Sequence, residues 1–143
     1  METVLTLTSP AELSHLPAFI DAVKKAAESS GVPPETIFDI ELTLEEALVN
    51  IITYAYEGKQ GDIEVVCLAD NRSFSVKITD GGQAFDMTSL PPPDLSYDVS
   101  DRQIGGLGIY FIKKLANQVT YRREREKNIL AMTFYLPNAR CGR

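Results

Sequence analysis

Between Tyr56 and Ile63 the apolar residues stop recurring at helical spacing and begin to alternate with polar ones. Before this switch, Ile37, Ile40, Leu44, Leu48 and Ile51 form one stripe of a helix that opens at Pro33-Pro34 and is expected to run to about Tyr56. After it, Ile63, Val65 and Cys67 alternate with Glu64, Val66 and Leu68, Asp70-Asn71 marks a turn, and Phe74, Val76 and Ile78 alternate with Ser73, Ser75, Lys77 and Thr79. Period 2 on both sides of a turn predicts a hairpin with one buried face. Such a face must be covered, and an amphipathic helix of this length is the nearest cover. The switch therefore points to helices layered on a sheet.

The flanking segments extend the pattern. Val4–Thr8 alternates as a short edge strand. Ser9-Pro10-Ala11-Glu12 predicts a helix start, with Ser9 as N-cap, Pro10 at the first helical position and Glu12 closing a capping box. Leu13, Leu16, Ile20, Val23 and Ala27 give that helix its stripe, and Gly31 stops it. Residues 81–104 show almost no period and contain Pro91-Pro92-Pro93. A loop this long inside a compact domain reads as a functional lid. Gly105-Gly106-Leu107-Gly108 then opens a helix through about Ala116, and a last hairpin pairs Val119–Arg125 with Ile129–Leu136, turning at Lys127-Asn128. The order is βααββ, loop, αββ. The expected fold is α+β: one domain over 1–143, a two-layer α/β sandwich whose mostly antiparallel, mixed sheet is covered on one face by three helices. A chain of 143 residues buries enough surface for one core without staples.

Charge narrows the function. Lys+Arg 14 against Asp+Glu 20 leaves a net charge of −6, which disfavours a nucleic-acid partner, normally met by a basic face. It leaves phosphate binding open, because backbone N–H groups can build an anion site. Cys67 and Cys141 form no metal-ligand spacing and suit a reducing compartment. His15, the single histidine, reads as a surface or core residue of the first helix. No basic start followed by an apolar core marks a signal peptide, and no apolar run approaches the 18 or more residues needed to span a bilayer. A cytoplasmic protein with no membrane partner is expected.

Three features carry chemistry. Glu46 and Asn50, four residues apart on a helix, project within about 40° of each other. A carboxylate beside a carboxamide can hold one divalent ion and one activated hydroxyl; Mg²⁺ in particular takes few protein oxygens and completes its shell with phosphates and waters. With Glu41 and Glu45 nearby, the pair also reads as a solvated acidic helix face. Asp80-Gly81-Gly82 ends the Phe74–Ile78 strand, where a carboxylate can accept a hydrogen bond from an exocyclic amine of the kind adenine offers and Gly82 leaves room for a ring. The same residues also read as a strand-ending turn. Gly105-Gly106-Leu107-Gly108 at a helix start allows backbone amides to approach phosphate, or serves as a flexible helix entry. It is neither a Walker A loop nor a Rossmann fingerprint.

In order, these boxes resemble the GHKL ATPase superfamily, whose nucleotide-binding fold is the histidine-kinase-like ATPase fold. Glu46-Ala47-Leu48-Val49-Asn50 matches its ExxxN box, Asp80-Gly81-Gly82 its DxG box, and Gly105-Gly106-Leu107-Gly108-Ile109 its second glycine box. The resemblance spans roughly residues 5 to 136. Within it, Phe85-Asp86, Pro92-Pro93-Asp94 and Ile104–Ile109 look like the anti-sigma-factor serine/threonine kinases of bacterial partner-switching systems. The resemblance implies ATP and Mg²⁺ as cofactors. It places Asp80 on the adenine amine, with Gly82 giving room and Thr133 assisting, and Asn50 on Mg²⁺. Gly105, Gly106, Leu107 and Gly108 would cradle phosphate, and Glu46 would be the catalytic base toward a partner's serine or threonine. Arg102 could reach a phosphate or the partner, and Tyr54 stands where the family often has a histidine. The implied protein phosphorylates a small STAS-type anti-anti-sigma partner and sequesters a sigma factor. An ATP/ADP-sensing module that acts by contact alone is the alternative. Relatives commonly form homodimers through a sheet edge, for which Val4–Thr8 is available.

Overall fold

The computed structural model describes residues 1–89 and 106–137. Five strands, β1 (Glu2–Pro10), β2 (Asp62–Ala69), β3 (Ser73–Asp80), β4 (Gln118–Glu124) and β5 (Lys127–Tyr135), form one sheet in the order β1-β2-β3-β5-β4. Every pairing among the described residues is antiparallel. Three helices, α1 (Leu16–Ser29), α2 (Pro34–Asn50) and α3 (Gly106–Leu115), complete the α+β fold.

Register explains where the core lies. Val65 faces Ile78, which faces Leu130; Cys67 faces Val76, which faces Met132; Ala69 faces Phe74, which faces Phe134. All nine are buried, and they share one core with Phe19 and Val23 of α1, Leu44 and Leu48 of α2, and Ile109 and Ile112 of α3. The helices thus cover this one face of the sheet. The α2 stripe is buried as its spacing requires, and Thr43 within it directs its hydroxyl to the Asp39 carbonyl (2.8 Å).

Three local expectations change. Ser9 is not an N-cap: β1 continues to Pro10, with Ser9 opposite Ile63 and Pro10 opposite Asp62. Ladder hydrogen bonds to β2 take this segment before a helix can start. Ser9 Oγ instead lies 3.1 Å from His15 Nδ1, a short 3₁₀ turn spans Leu13–His15, and α1 starts at Leu16 with Pro17 in its first turn. Its buried stripe becomes Phe19, Val23 and Ala27, leaving Leu13 58% exposed. Second, α2 does not run unbroken to Tyr56. After Asn50 the coil widens into a π turn, Ile51–Ala55, and Tyr56 N–H bonds to the Ile51 carbonyl at 3.1 Å. Third, the last hairpin turns at Arg125 and Glu126, both with positive φ (52° and 64°), rather than at Lys127-Asn128. A two-residue turn with both centres in the left-handed region matches the twist of the strands it joins. Asn128 thereby becomes a strand residue.

Candidate functional site

At one end of the sheet, three of the four residues in a row are polar. Reading across β2, β3, β5 and β4, Ile63 faces Asp80, Asp80 faces Asn128, and Asn128 faces Arg123. Strand alternation puts these on the helix-covered face, continuous with the apolar rows. Asp80 is 2% exposed. Its Oδ1 accepts from Gly82 N–H (2.9 Å) and from Asn128 Nδ2 (2.9 Å). Burial raises its carboxyl above the usual range, opposed by these two hydrogen bonds and by the Arg123 charge. Among the described residues, both side-chain hydrogen bonds to Asp80 end on the same oxygen, Oδ1.

The chain leaving β3 is fastened to the end of the long helix. Gln83 N–H donates to the Ala55 carbonyl (2.8 Å) and Gln83 Nε2 to the Tyr54 carbonyl (2.9 Å). Tyr56 hydroxyl accepts from Gly81 N–H (2.8 Å) and donates to the Asp62 carbonyl (2.5 Å). Arg123 Nη1 holds the Gly82 carbonyl at 2.8 Å. The π turn supplies the carbonyls for this attachment; such irregular turns often occur at functional sites. The DxG box and the end of the ExxxN helix are therefore brought together by direct bonds.

On that helix, Asn50 is 4% exposed and its Nδ2 has no hydrogen-bond partner among the described residues. One turn on, the Tyr54 hydroxyl is also buried with no partner among the described residues, while its ring lies 5.4 Å from that of Phe85. An unsatisfied buried polar group costs about 1–3 kcal/mol, so two neighbouring ones call for a ligand that satisfies them. A nucleotide with its Mg²⁺ fits this donor set: the Asn50 carboxamide can supply an oxygen to a hard cation and an N–H to an anion, and the Tyr54 hydroxyl can donate. Glu46, one turn before Asn50, is half-buried and its carboxyl is raised by burial and then by the Glu45 charge.

α3 begins at Gly106, so Gly106, Leu107 and Gly108 form its first turn; Gly105 and Arg102 lie outside the described residues. Of the expected lid over 81–104, residues 81–89 are described. They end in a 3₁₀ turn, Met87–Ser89, whose Met87 is buried and whose Thr88 carbonyl accepts from Lys113 Nζ of α3 (2.7 Å).

Thr133 does not join the site. It faces Ser75 across β3 and β5, with the two hydroxyl oxygens 2.8 Å apart. Asp80 faces Asn128, five residues from Thr133, so alternation puts Thr133 on the opposite face of the sheet. The β5 residue beside Asp80 is Asn128, which sequence reasoning assigned to a turn. Tyr56 and Arg123 were also missed. A polar, strand-averse Asn at the start of an apolar alternation was the available signal.

A family model described as a histidine kinase-like ATPase domain matches residues 9–134. A serine-protein kinase RsbW of Listeria monocytogenes is 27% identical over 141 residues, covering 95% of this chain and 89% of the relative. The serine-protein kinase RsbW of Halalkalibacterium halodurans is 31% identical over 137 residues, covering 92% and 83% respectively. One from Bacillus thuringiensis is 28% identical over 132 residues, covering 89% and 81%. With the ExxxN and DxG boxes joined as described and nearly the whole length matched, the chain belongs to the histidine kinase-like ATPase family of the GHKL superfamily.

Proposed function

We propose that this protein is an ATP-dependent serine/threonine-protein kinase that also acts as an anti-sigma factor. The observation that carries the nucleotide reading is a pair of buried polar atoms with no partner among the described residues, Asn50 Nδ2 and the Tyr54 hydroxyl, on the helix end to which the Asp80–Gln83 segment is bonded. Asp80 binds the adenine amine through the oxygen that Gly82 and Asn128 leave free. Asn50 holds Mg²⁺, and the amides of residues 105–108 meet phosphate at the start of α3. Held there, Mg²⁺ would supply charge neutralisation to the triphosphate.

Phosphoryl transfer asks mainly for positioning and charge neutralisation, so the protein's own chemical task is small. Glu46 takes the proton from a serine or threonine hydroxyl of the partner as that oxygen bonds to the γ-phosphorus and the bond to the β-phosphate oxygen breaks, releasing ADP. A half-buried carboxylate with a raised pKa is a better base than an exposed one. The relatives' names support a serine in a protein as acceptor; a small STAS-type anti-anti-sigma protein is the proposed substrate, and a sigma factor the sequestered partner.

Calorimetric titration with ATP, ADP and GTP, with and without Mg²⁺, tests the site. Adenine-selective binding strengthened by Mg²⁺ is expected in the wild type and lost in Asp80→Asn. Mass spectrometry of a STAS-type partner after incubation with Mg-ATP then separates kinase from sensor. Phosphoserine with the wild type and none with Glu46→Gln is the kinase outcome; an unmodified partner that is nonetheless bound is the sensor outcome.

A further inference from the structure

Five hydrogen bonds converge on one side-chain amide. Asn128 is 3% exposed. Its Oδ1 accepts from the Tyr121 hydroxyl (2.5 Å), from Phe85 N–H (3.2 Å) and from Arg123 Nη1 (3.2 Å). Its Nδ2 donates to Asp80 Oδ1 (2.9 Å) and to the Gln83 carbonyl (2.8 Å). The opposite orientation of the amide would set its N–H groups against three donors and its oxygen against two acceptors. Only one orientation satisfies the network, and in it Asn128 presents a donor to Asp80.

We propose that Asn128 is the positioning residue that sets nucleobase selectivity at this site, by fixing Asp80 as a hydrogen-bond acceptor and turning its free oxygen toward an exocyclic amine. The inference rests on the adenine reading of Asp80 and adds the device that enforces it. Asp80 Oδ1 is occupied by two donors, which stabilise the ionised carboxylate inside a buried row. Carboxylate Oδ2, with no proton, can accept from an amine such as adenine's and repels a carbonyl such as guanine's O6. A buried site built to receive one partner rejects an analogue that leaves its polar group unpaired. The donors that orient Asn128 are three residues on two segments: Tyr121 and Arg123 on β4, and Phe85 on the segment after Asp80. The same amide bonds Gln83, so base selectivity and the attachment of residues 82–85 to the helix end share one residue.

The test is the ratio of dissociation constants for ATP and GTP, measured calorimetrically with Mg²⁺ on the full chain, in wild type, Asn128→Asp and Tyr121→Phe. Asn128→Asp keeps an oxygen for Tyr121, Phe85 and Arg123 but sets a second carboxyl against Asp80, so the two share a proton and Asp80 is no longer held as a pure acceptor. The expected result is a narrowing of the ATP:GTP ratio by about tenfold or more, with a smaller, several-fold narrowing in Tyr121→Phe, one hydrogen bond to the amide being lost. A folded Asn128→Asp whose ratio stays within about twofold of wild type overturns the inference while leaving the adenine site standing. If Asn128→Asp does not fold, Tyr121→Phe decides in the same way, an unchanged ratio overturning the proposal. Wild type that binds neither nucleotide overturns the adenine reading, and this inference with it.

Discussion

A Cβ on Gly82 would stand 2.5 Å from the carbonyl oxygen of Ala55 and 2.9 Å from the Ala55 Cβ. The segment leaving Asp80 therefore lies against the π turn at a distance that only glycine allows, and the next residue, Gln83, donates to that same carbonyl. The approach is backbone to backbone, so no flexible side chain can yield. Gly82→Ala is expected to destabilise the fold by about 1–3 kcal/mol, the range for forced overpacking, and to weaken ATP binding with it. Gly81→Ala is the control: its nearest neighbour would be the Tyr56 hydroxyl at 3.7 Å, ordinary contact, so its stability should change by less than about 0.5 kcal/mol. Urea unfolding of the two variants beside wild type gives the comparison.

Asp80→Asn should separate binding from stability. Burial raises the Asp80 carboxyl in the folded state above its usual 3.8, so the folded protein binds the proton more tightly than the unfolded chain. Stability from this group is complete at acid pH and is lost as pH rises from the unfolded value through the raised folded one. At pH 7 the wild type carries that penalty and the neutral amide does not, while its oxygen still accepts from Gly82 and Asn128. The melting temperature of Asp80→Asn at pH 7 is expected to equal or exceed that of wild type, with ATP affinity reduced about a hundredfold by loss of a charge-assisted hydrogen bond. A lower melting temperature in a scan at pH 7 would contradict the burial argument.

The transfer rate should depend on pH through Glu46. A base works only when ionised, so the rate rises with pH through the Glu46 pKa and levels above it. Burial and the neighbouring Glu45 charge both raise that pKa above 4.5. Glu45→Gln removes the second cause, and the acid limb of the rate profile should move to lower pH with the plateau retained. Glu46→Gln should bind ATP as wild type does and transfer no phosphate. Radiolabel transfer to the partner across a pH series reads both.

Tyr54→Phe removes a hydroxyl that has no partner among the described residues. Deleting an unsatisfied buried donor does not lower stability, so the unfolding midpoint should hold or rise. ATP affinity should fall several-fold if the hydroxyl serves the ligand, the size of one neutral hydrogen bond. Calorimetry and thermal melting on one preparation report both quantities, and unchanged affinity would make Tyr54 a packing residue for Phe85.

Local pattern was enough for the architecture. The stripe Ile37, Ile40, Leu44, Leu48 and Ile51 is buried as its spacing demands, and β2 and β3 bury the alternating set that period 2 marks. These are properties of neighbours within one turn or one pleat, and the chain carries them in its order. The same holds for Glu46 and Asn50, whose common helix face follows from four residues of separation, and for the family, whose boxes are contiguous. Other features depended on partners far away in sequence. Ser9 had the chemistry of an N-cap, but β2, more than fifty residues on, claimed its segment for a strand. Asn128 had the chemistry of a turn, yet two positive-φ residues before it closed the hairpin and left it in the ladder beside Asp80. Thr133 was excluded from the site by register alone, because a residue at odd separation from Asn128 points to the other face. Residue order determined the existence and order of the helices and strands and the contiguous family boxes, since each is a short-range periodicity or a contiguous motif. Tertiary structure decided which β5 side chain meets Asp80 and how residues 82–85 lock onto the π turn, because strand register and backbone contact distance exist only between segments that the fold brings together.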